Sequence, residues 1–180
     1  MRTAVRTAIA LSLLVPAPAM AQGGADARVK RGEYLVTIGS CHDCHTPAVV
    51  GPNGPEPDMT RGLSGHPQDI RIGAPARLPE PWMAAASPTL TAWSGPWGVS
   101  FTANLTPDPE TGVLRDFTEQ QFVQALRTGR HQGQGRPILP PMPWRFIGEM
   151  TDEDLGAVFA YLRQIPAVKN KVPDPIPPKE

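Results

Sequence analysis

A mostly α domain interrupted by one long irregular insertion is the fold this chain predicts, and three observations carry that expectation. Three segments combine a helical period with recognisable start or stop residues; only one pair of short β-prone runs flanks a turn; and proline and glycine, at 23 and 17 of 180 residues, crowd the middle and the end. A hydrophobic share of 40% suits one core of moderate size.

At the amino terminus, Arg2 and Arg6 precede an apolar run from Ala8 to Val15, and Ala19-Met20-Ala21 follows. That order of basic, apolar and small residues predicts a secretory signal over residues 1–21, cleaved after Ala21, and hence a periplasmic location. The run is too short to cross a bilayer, and no later stretch approaches about 18 consecutive apolar residues, so the mature chain is expected to have no transmembrane segment. Cleavage leaves 15 basic against 17 acidic residues, a formal charge of −2, which argues against nucleic acid as a partner.

The first helix is expected over residues 28–38, amphipathic, with Tyr34, Leu35 and Ile38 on or near one side. Between residues 47 and 112 no helical period persists. Within that stretch, Thr89–Ser94 and Val99–Asn104 flank Gly95-Pro96-Trp97-Gly98, a pattern that predicts a β-hairpin with a four-residue turn. A second helix is predicted over 118–129: Thr118 is a hydroxyl cap, Gln121 stands three residues on, and Gly129 marks the stop. The third begins at Thr151, whose Asp152-Glu153-Asp154 complement the helix dipole. Leu155, Val158, Phe159, Leu162 and Ile165 give it one apolar face, and Pro166 ends it. The domain therefore runs over 22–166, with the insertion at about 50–100, and the proline-rich tail at 167–180 is expected to lie extended on the surface or disordered.

Both cysteines of the chain fall in Cys41-His42-Asp43-Cys44-His45, a C-x-x-C-H sequence. Two thiols one helical turn apart can each add to a vinyl group of one porphyrin, which holds the adjacent His45 under the iron. A disulfide, a thioredoxin-like dithiol and a zinc site are the competing uses of such cysteines, and the histidine directly after the second one favours covalent haem c. His45 is expected to donate its other ring N–H to a backbone carbonyl, which fixes the imidazole and strengthens it as a ligand. His42 reads as a variable surface position.

A second axial ligand must come from elsewhere, and Leu139-Pro140-Pro141-Met142-Pro143-Trp144 is the leading source. Prolines on both sides keep Met142 out of helix and inner strand, so its thioether sits on a stiff loop and can be aimed at a fixed point. Met83, Met59, Met150, His66 and His131 are the rivals, and Arg130, Arg136 and Arg145 around the loop are candidates to pair with haem propionates.

With these residues in view, the chain resembles the class I monohaem cytochromes c, over residues 28–50 and 100–166. The resemblance rests on a helix ending in Cys41-x-x-Cys44-His45, a later methionine in a proline-bearing loop, and a closing helix. Gly32, Phe159, Tyr161 and Leu162 resemble the contact between the family's terminal helices. Asn104-Leu105-Thr106-Pro107 and Gly135 to Trp144 are similar to segments of bacterial periplasmic cytochrome c subunits of dehydrogenases. The resemblance implies a cytochrome c fold around one covalently bound haem, His45 and Met142 as axial ligands of the iron, and one-electron transfer without catalysis. Its partners would be redox proteins, a periplasmic dehydrogenase and the respiratory chain among them. The competing functions are a haem enzyme, peroxidase-like or acting on sulfur or nitrogen compounds, and a haem-based gas-binding module; each needs a displaceable sixth ligand.

Overall fold

The computed structural model describes residues 20–73 and 78–178. The signal read over residues 1–21 lies almost wholly outside the described residues. Five helices are present among them: α1 (Met20–Ile38), α2 (Cys41–His45), α3 (Glu119–Thr128), α4 (Trp144–Ile147) and α5 (Asp152–Leu162). Five short strands form two antiparallel sheets, β1 (Ala48–Gly51) with β2 (Gly54–Pro57), and β3 (Ala85–Ala86), β4 (Ala92–Gly95) and β5 (Gly98–Phe101) in that order. The architecture is mostly α with small β additions, as the sequence predicts.

Helices α1, α3 and α5 enclose the core. Leu35 and Val36 of α1, Phe122, Val123 and Leu126 of α3, and Leu155, Ala157, Val158 and Leu162 of α5 form one buried cluster with Leu63 and Leu114. Burial of this apolar set is the main favourable term in assembling the three helices. Arg31 clasps Asp154 through two hydrogen bonds of 2.8 and 3.1 Å, and Arg127 pairs with Asp152 at 2.7 Å. These pairs lie at the surface, where they fix orientation more than they stabilise.

The face α1 buries differs from the expected one. Tyr34 and Ile38 are 53% and 57% exposed, while Gly32, Leu35 and Val36 are buried. Spacing of i, i+3 and i+4 is kept, but its first member is a glycine, which a count of apolar side chains overlooks. Its role is close approach: a Cβ on Gly32 would run into the Ala157 carbonyl and lie 2.7 Å from the Tyr161 Cβ. The expected contact of Gly32 with Tyr161 is present.

Helix ends follow the local chemistry. Thr118 and Gln121 form a reciprocal capping box, and α3 stops at Gly129 in a left-handed conformation. At α5, the Thr151 hydroxyl accepts the Asp154 N–H at 3.1 Å. That helix closes at Leu162 rather than running to Ile165, because Pro166 disfavours helical geometry at the residue before it.

The proline-rich middle carries more order than the sequence suggests. The hairpin around Gly95–Gly98 is present as β4–β5, but its turn contains only Pro96 and Trp97, since Gly95 and Gly98 already pair. A second hairpin, β1–β2, turns through Pro52-Asn53 and has no counterpart among the expected elements. Its cue is Gly51-Pro52-Asn53-Gly54, turn residues between two runs too short to show alternation. The carboxy-terminal tail is extended, and Ile176 exchanges both backbone hydrogen bonds with Val99 of β5, at 2.8 and 2.9 Å. Pairing to a strand edge supplies order that composition alone does not provide.

Gly32→Val should lower the midpoint of denaturant unfolding by forcing α1 and α5 apart, a loss of at least about 1–3 kcal/mol, the usual cost of overpacking. An unchanged midpoint would show that the crossing tolerates a side chain there.

Candidate functional site

Cys41, Cys44 and His45 lie on the single-turn helix α2, which follows α1 after Gly39 and Ser40. Ser40 takes a left-handed conformation at φ 53°, a sharp corner that swings α2 off the end of α1. Both cysteines are free thiols of intermediate burial. Burial pushes the Cys41 thiol up to about 11 and raises that of Cys44 as well. The two are therefore protonated at neutral pH, the opposite of the depressed thiol that a thioredoxin-type site requires.

His45 is buried and clasped. Its Nδ1 lies 2.9 Å from the Ala103 carbonyl, the backbone acceptor expected for it, and its own carbonyl takes the Gly65 N–H at 2.8 Å. Gly65 has φ +74°, and a Cβ there would lie 2.5 Å from the Ala103 carbonyl carbon, so only glycine fits between the two clasping segments. With Nδ1 used as donor, Nε2 has no protein partner among the described residues. Burial lowers the pKa of the ring, which keeps His45 neutral and its free nitrogen able to donate a lone pair. His42 is half-buried rather than a plain surface residue, with Nδ1 2.8 Å from the Thr46 hydroxyl.

The acceptor at Ala103 is itself immobilised. Asn104 is 1% exposed; its Oδ1 accepts the Thr106 N–H and hydroxyl at 3.0 and 2.7 Å, and its Nδ2 donates to the Val168 carbonyl at 2.8 Å. Asn170 of the tail donates to the carbonyls of Ser64 and His66 at 2.7 and 2.9 Å and accepts the Gln68 N–H at 2.9 Å. Two buried asparagines thus tie the tail, the 63–68 segment and the His45 acceptor into one network, in which only the Ser64 hydroxyl, among the described residues, is buried without a partner. Sequence reasoning noted Asn104 only as part of a similar segment, and it missed Thr46, Gly65, Ala103 and Asn170. The Asn-x-Thr-Pro-Asp pattern at 104–108 is a turn signature from which the side-chain-to-backbone bonds of Asn104 can be foreseen.

Met142 is partly buried and packs, with Cys41, Trp144 and Met150, against the main apolar cluster. Its loop contains a cis Pro140–Pro141 peptide and borders a cleft of about 290 Å³ lined by residues 138 and 140–146. Neither cysteine nor His45 lines this cleft, so the structure sets Met142 and Cys41 on one core without joining the two sites in a single cavity. A separate hollow of about 650 Å³ borders Ala103 and Asn104. Among the rivals, Met59 and Met83 are 63% and 69% exposed, and both ring nitrogens of His66 are engaged, by Thr91 and by the Ile70 carbonyl. Arg130 bonds the Gly135 carbonyl, and Arg145 lies 5.0 Å over the Trp144 ring. Of the described tryptophans, Trp93 keeps a buried Nε1 without an acceptor.

The donor set fits covalent haem c: two protonated thiols one turn apart, and a neutral imidazole whose Nε2 is left free by the carbonyl bond and could bind the iron. Among the described residues, no group of three or more His, Cys, Asp and Glu is placed to hold a metal ion.

No family model matches the chain. It is 28% identical over 172 residues to the cytochrome c subunit of a quinone-type alcohol dehydrogenase from Gluconobacter oxydans, covering 93% of this chain and 28% of that protein. It is 30% identical over 136 residues to a gluconate 2-dehydrogenase cytochrome c subunit from Pantoea cypripedii, covering 76% of this chain and 23% of that one. The cytochrome subunit of a fructose dehydrogenase from Gluconobacter japonicus is 27% identical over 153 residues, 82% of this chain and 24% of its own length. The chain thus spans about a quarter of the length of these relatives. No described helix is long and apolar enough to cross a membrane.

Burial and the neighbouring Arg136 hold His131 down to about 4. The unfolded chain, with histidine near 6.5, takes up this proton first as the pH falls. Stability from His131 is therefore complete above about pH 6.5 and lost progressively toward pH 4. Denaturant midpoints measured across that window should fall more steeply for the parent than for His131→Gln; parallel curves would remove His131 as the cause.

Proposed function

We propose that this relative of the cytochrome c subunits of bacterial dehydrogenases is itself a periplasmic electron-transfer cytochrome of class I fold, holding one haem c through Cys41 and Cys44. His45 and Met142 would hold its iron. The observation that carries this reading is the His45 clasp: a neutral, buried imidazole whose Nδ1 is committed to the Ala103 carbonyl 2.9 Å away, one residue after Cys44. When bound, the haem supplies a reversible one-electron couple between Fe(III) and Fe(II).

The residues of the chain tune that couple. The Ala103 carbonyl orients His45 and raises its donor strength. The Met142 thioether, a soft ligand, favours reduced iron and raises the potential relative to a second histidine. The apolar cluster against which Cys41 and Met142 pack keeps water from the ligands. Its partners are redox proteins. The names of the relatives support a dehydrogenase as donor, from which electrons pass to the respiratory chain through a small, short-lived contact. The signal pattern of residues 1–21 supports export to the periplasm.

The absorption spectrum of the exported protein, oxidised and then reduced, tests the assignment. A low-spin spectrum with the weak long-wavelength band of sulfur on ferric haem is expected, and a high-spin spectrum without it would favour a haem enzyme or a gas-binding module. Met142→Ala should keep the haem covalently attached while the iron turns high-spin or binds carbon monoxide, at a lower potential; a parent-like spectrum would exclude Met142 as ligand. Cys41→Ala combined with Cys44→Ala should leave little or no haem on the chain after denaturing electrophoresis, and undiminished haem staining would refute the thioether assignment.

A further inference from the structure

The loop carrying Met142 cannot hold itself. Residues 140, 141 and 143 are prolines without backbone N–H groups, so within 140–143 only Met142 has a donor to offer. Before Met142 its anchors come from outside: the Ile138 N–H donates to the Gly129 carbonyl at the end of α3, over 2.8 Å, and the Pro140 carbonyl receives the hydroxyl of Ser100 at 2.5 Å. After it, the Pro143 carbonyl takes the Phe146 and Ile147 N–H groups of α4 at 3.1 and 3.2 Å.

Ser100 lies within β5 and is 7% exposed. Its oxygen also accepts the Trp97 indole N–H at 3.2 Å, so donation runs from Trp97 through Ser100 to Pro140. The strand beneath this relay is fixed on both edges. Trp93 of β4 pairs with Ser100 on one side, and Ile176 of the tail pairs with Val99 on the other.

We infer that Ser100 is a positioning residue for the Met142 thioether: its hydroxyl, aligned by Trp97, holds the loop so that the sulfur stays on the iron and external ligands are kept out. The inference rests on the reading of Met142 as the sixth ligand. It gives the β4–β5 hairpin and the carboxy-terminal tail one task, that of a clamp on the ligand loop.

Titration of the ferric holoprotein with imidazole, followed by loss of the sulfur-to-iron band, tests this. Ser100→Ala should retain the band yet bind imidazole roughly three- to tenfold more tightly, the range expected for one lost hydrogen bond. Ser100→Thr, which keeps the hydroxyl, should return the affinity toward that of the parent. Parent-like imidazole affinity in Ser100→Ala overturns the inference, and so does a lowered unfolding midpoint without a change in affinity. If Ser100→Ala does not accumulate as folded holoprotein, Trp97→Phe removes only the aligning donor. It should shift the affinity in the same direction by less, and no shift there also overturns the inference. Absence of the band from the parent itself brings down the Met142 assignment together with this inference, an outcome distinct from a parent that shows the band and a variant that behaves like it.

Discussion

The hydrogen bond between His45 Nδ1 and the Ala103 carbonyl spans 58 residues of sequence and is the constraint on which the rest of the site depends. A histidine on a single-turn helix has no rigid support of its own, because five residues cannot fix a ring through helix geometry. The carbonyl supplies the missing orientation. Its own position is set by Asn104, and Asn104 is set by the tail carbonyl of Val168. His45 is thereby aimed by the carboxy-terminal tail, through groups that are buried and hydrogen-bonded. Such a network is stiff for a physical reason: moving any member exposes an unsatisfied amide or carbonyl in a low-dielectric setting.

What the sequence made legible follows from how far each signal reaches. Thr118, Gln121 and Gly129, and likewise Thr151 with its acidic successors, act within one helical turn, and those helices appear where the residues place them. The C-x-x-C-H sequence is also local, and His45 is buried with a backbone acceptor as that chemistry demands. Face selection on α1 is different. Whether Tyr34 or Gly32 turns inward depends on what α5 presents, and a glycine chosen for close approach carries no hydrophobic signal.

The irregular half of the chain was least legible for the same reason. Order between residues 47 and 112 comes from bonds that cross large separations, such as Ala48 N–H to the Thr89 carbonyl and His66 N–H to the Thr102 carbonyl. Proline and glycine announce that helices stop; they do not say which distant carbonyl will take a given N–H. The tail shows this most plainly. Its composition fits an extended free segment, and it is extended, yet Asn170 is 3% exposed and makes three hydrogen bonds to the 64–68 segment through its side chain. One polar residue with both ends of its amide engaged anchors a stretch that forms no helix.

Strand β5 and the residues just after it concentrate these constraints. Ser100 reaches the Pro140 carbonyl, Thr102 receives the His66 N–H, and Ala103 receives His45, all within four residues. One short segment serves all three because the Ser100 side chain and the Thr102 and Ala103 backbone carbonyls are each free to bond outside the β4–β5 ladder. The two proposed ligands are borne on a single-turn helix and on a loop, and packing of the three long helices alone does not fix either. Bonds from one segment to both bind their positions to a common reference. The strand is in turn paired to β4 and to Ile176. The proline-rich region and tail therefore belong to the site: they are the frame against which His45 and Met142 are both positioned.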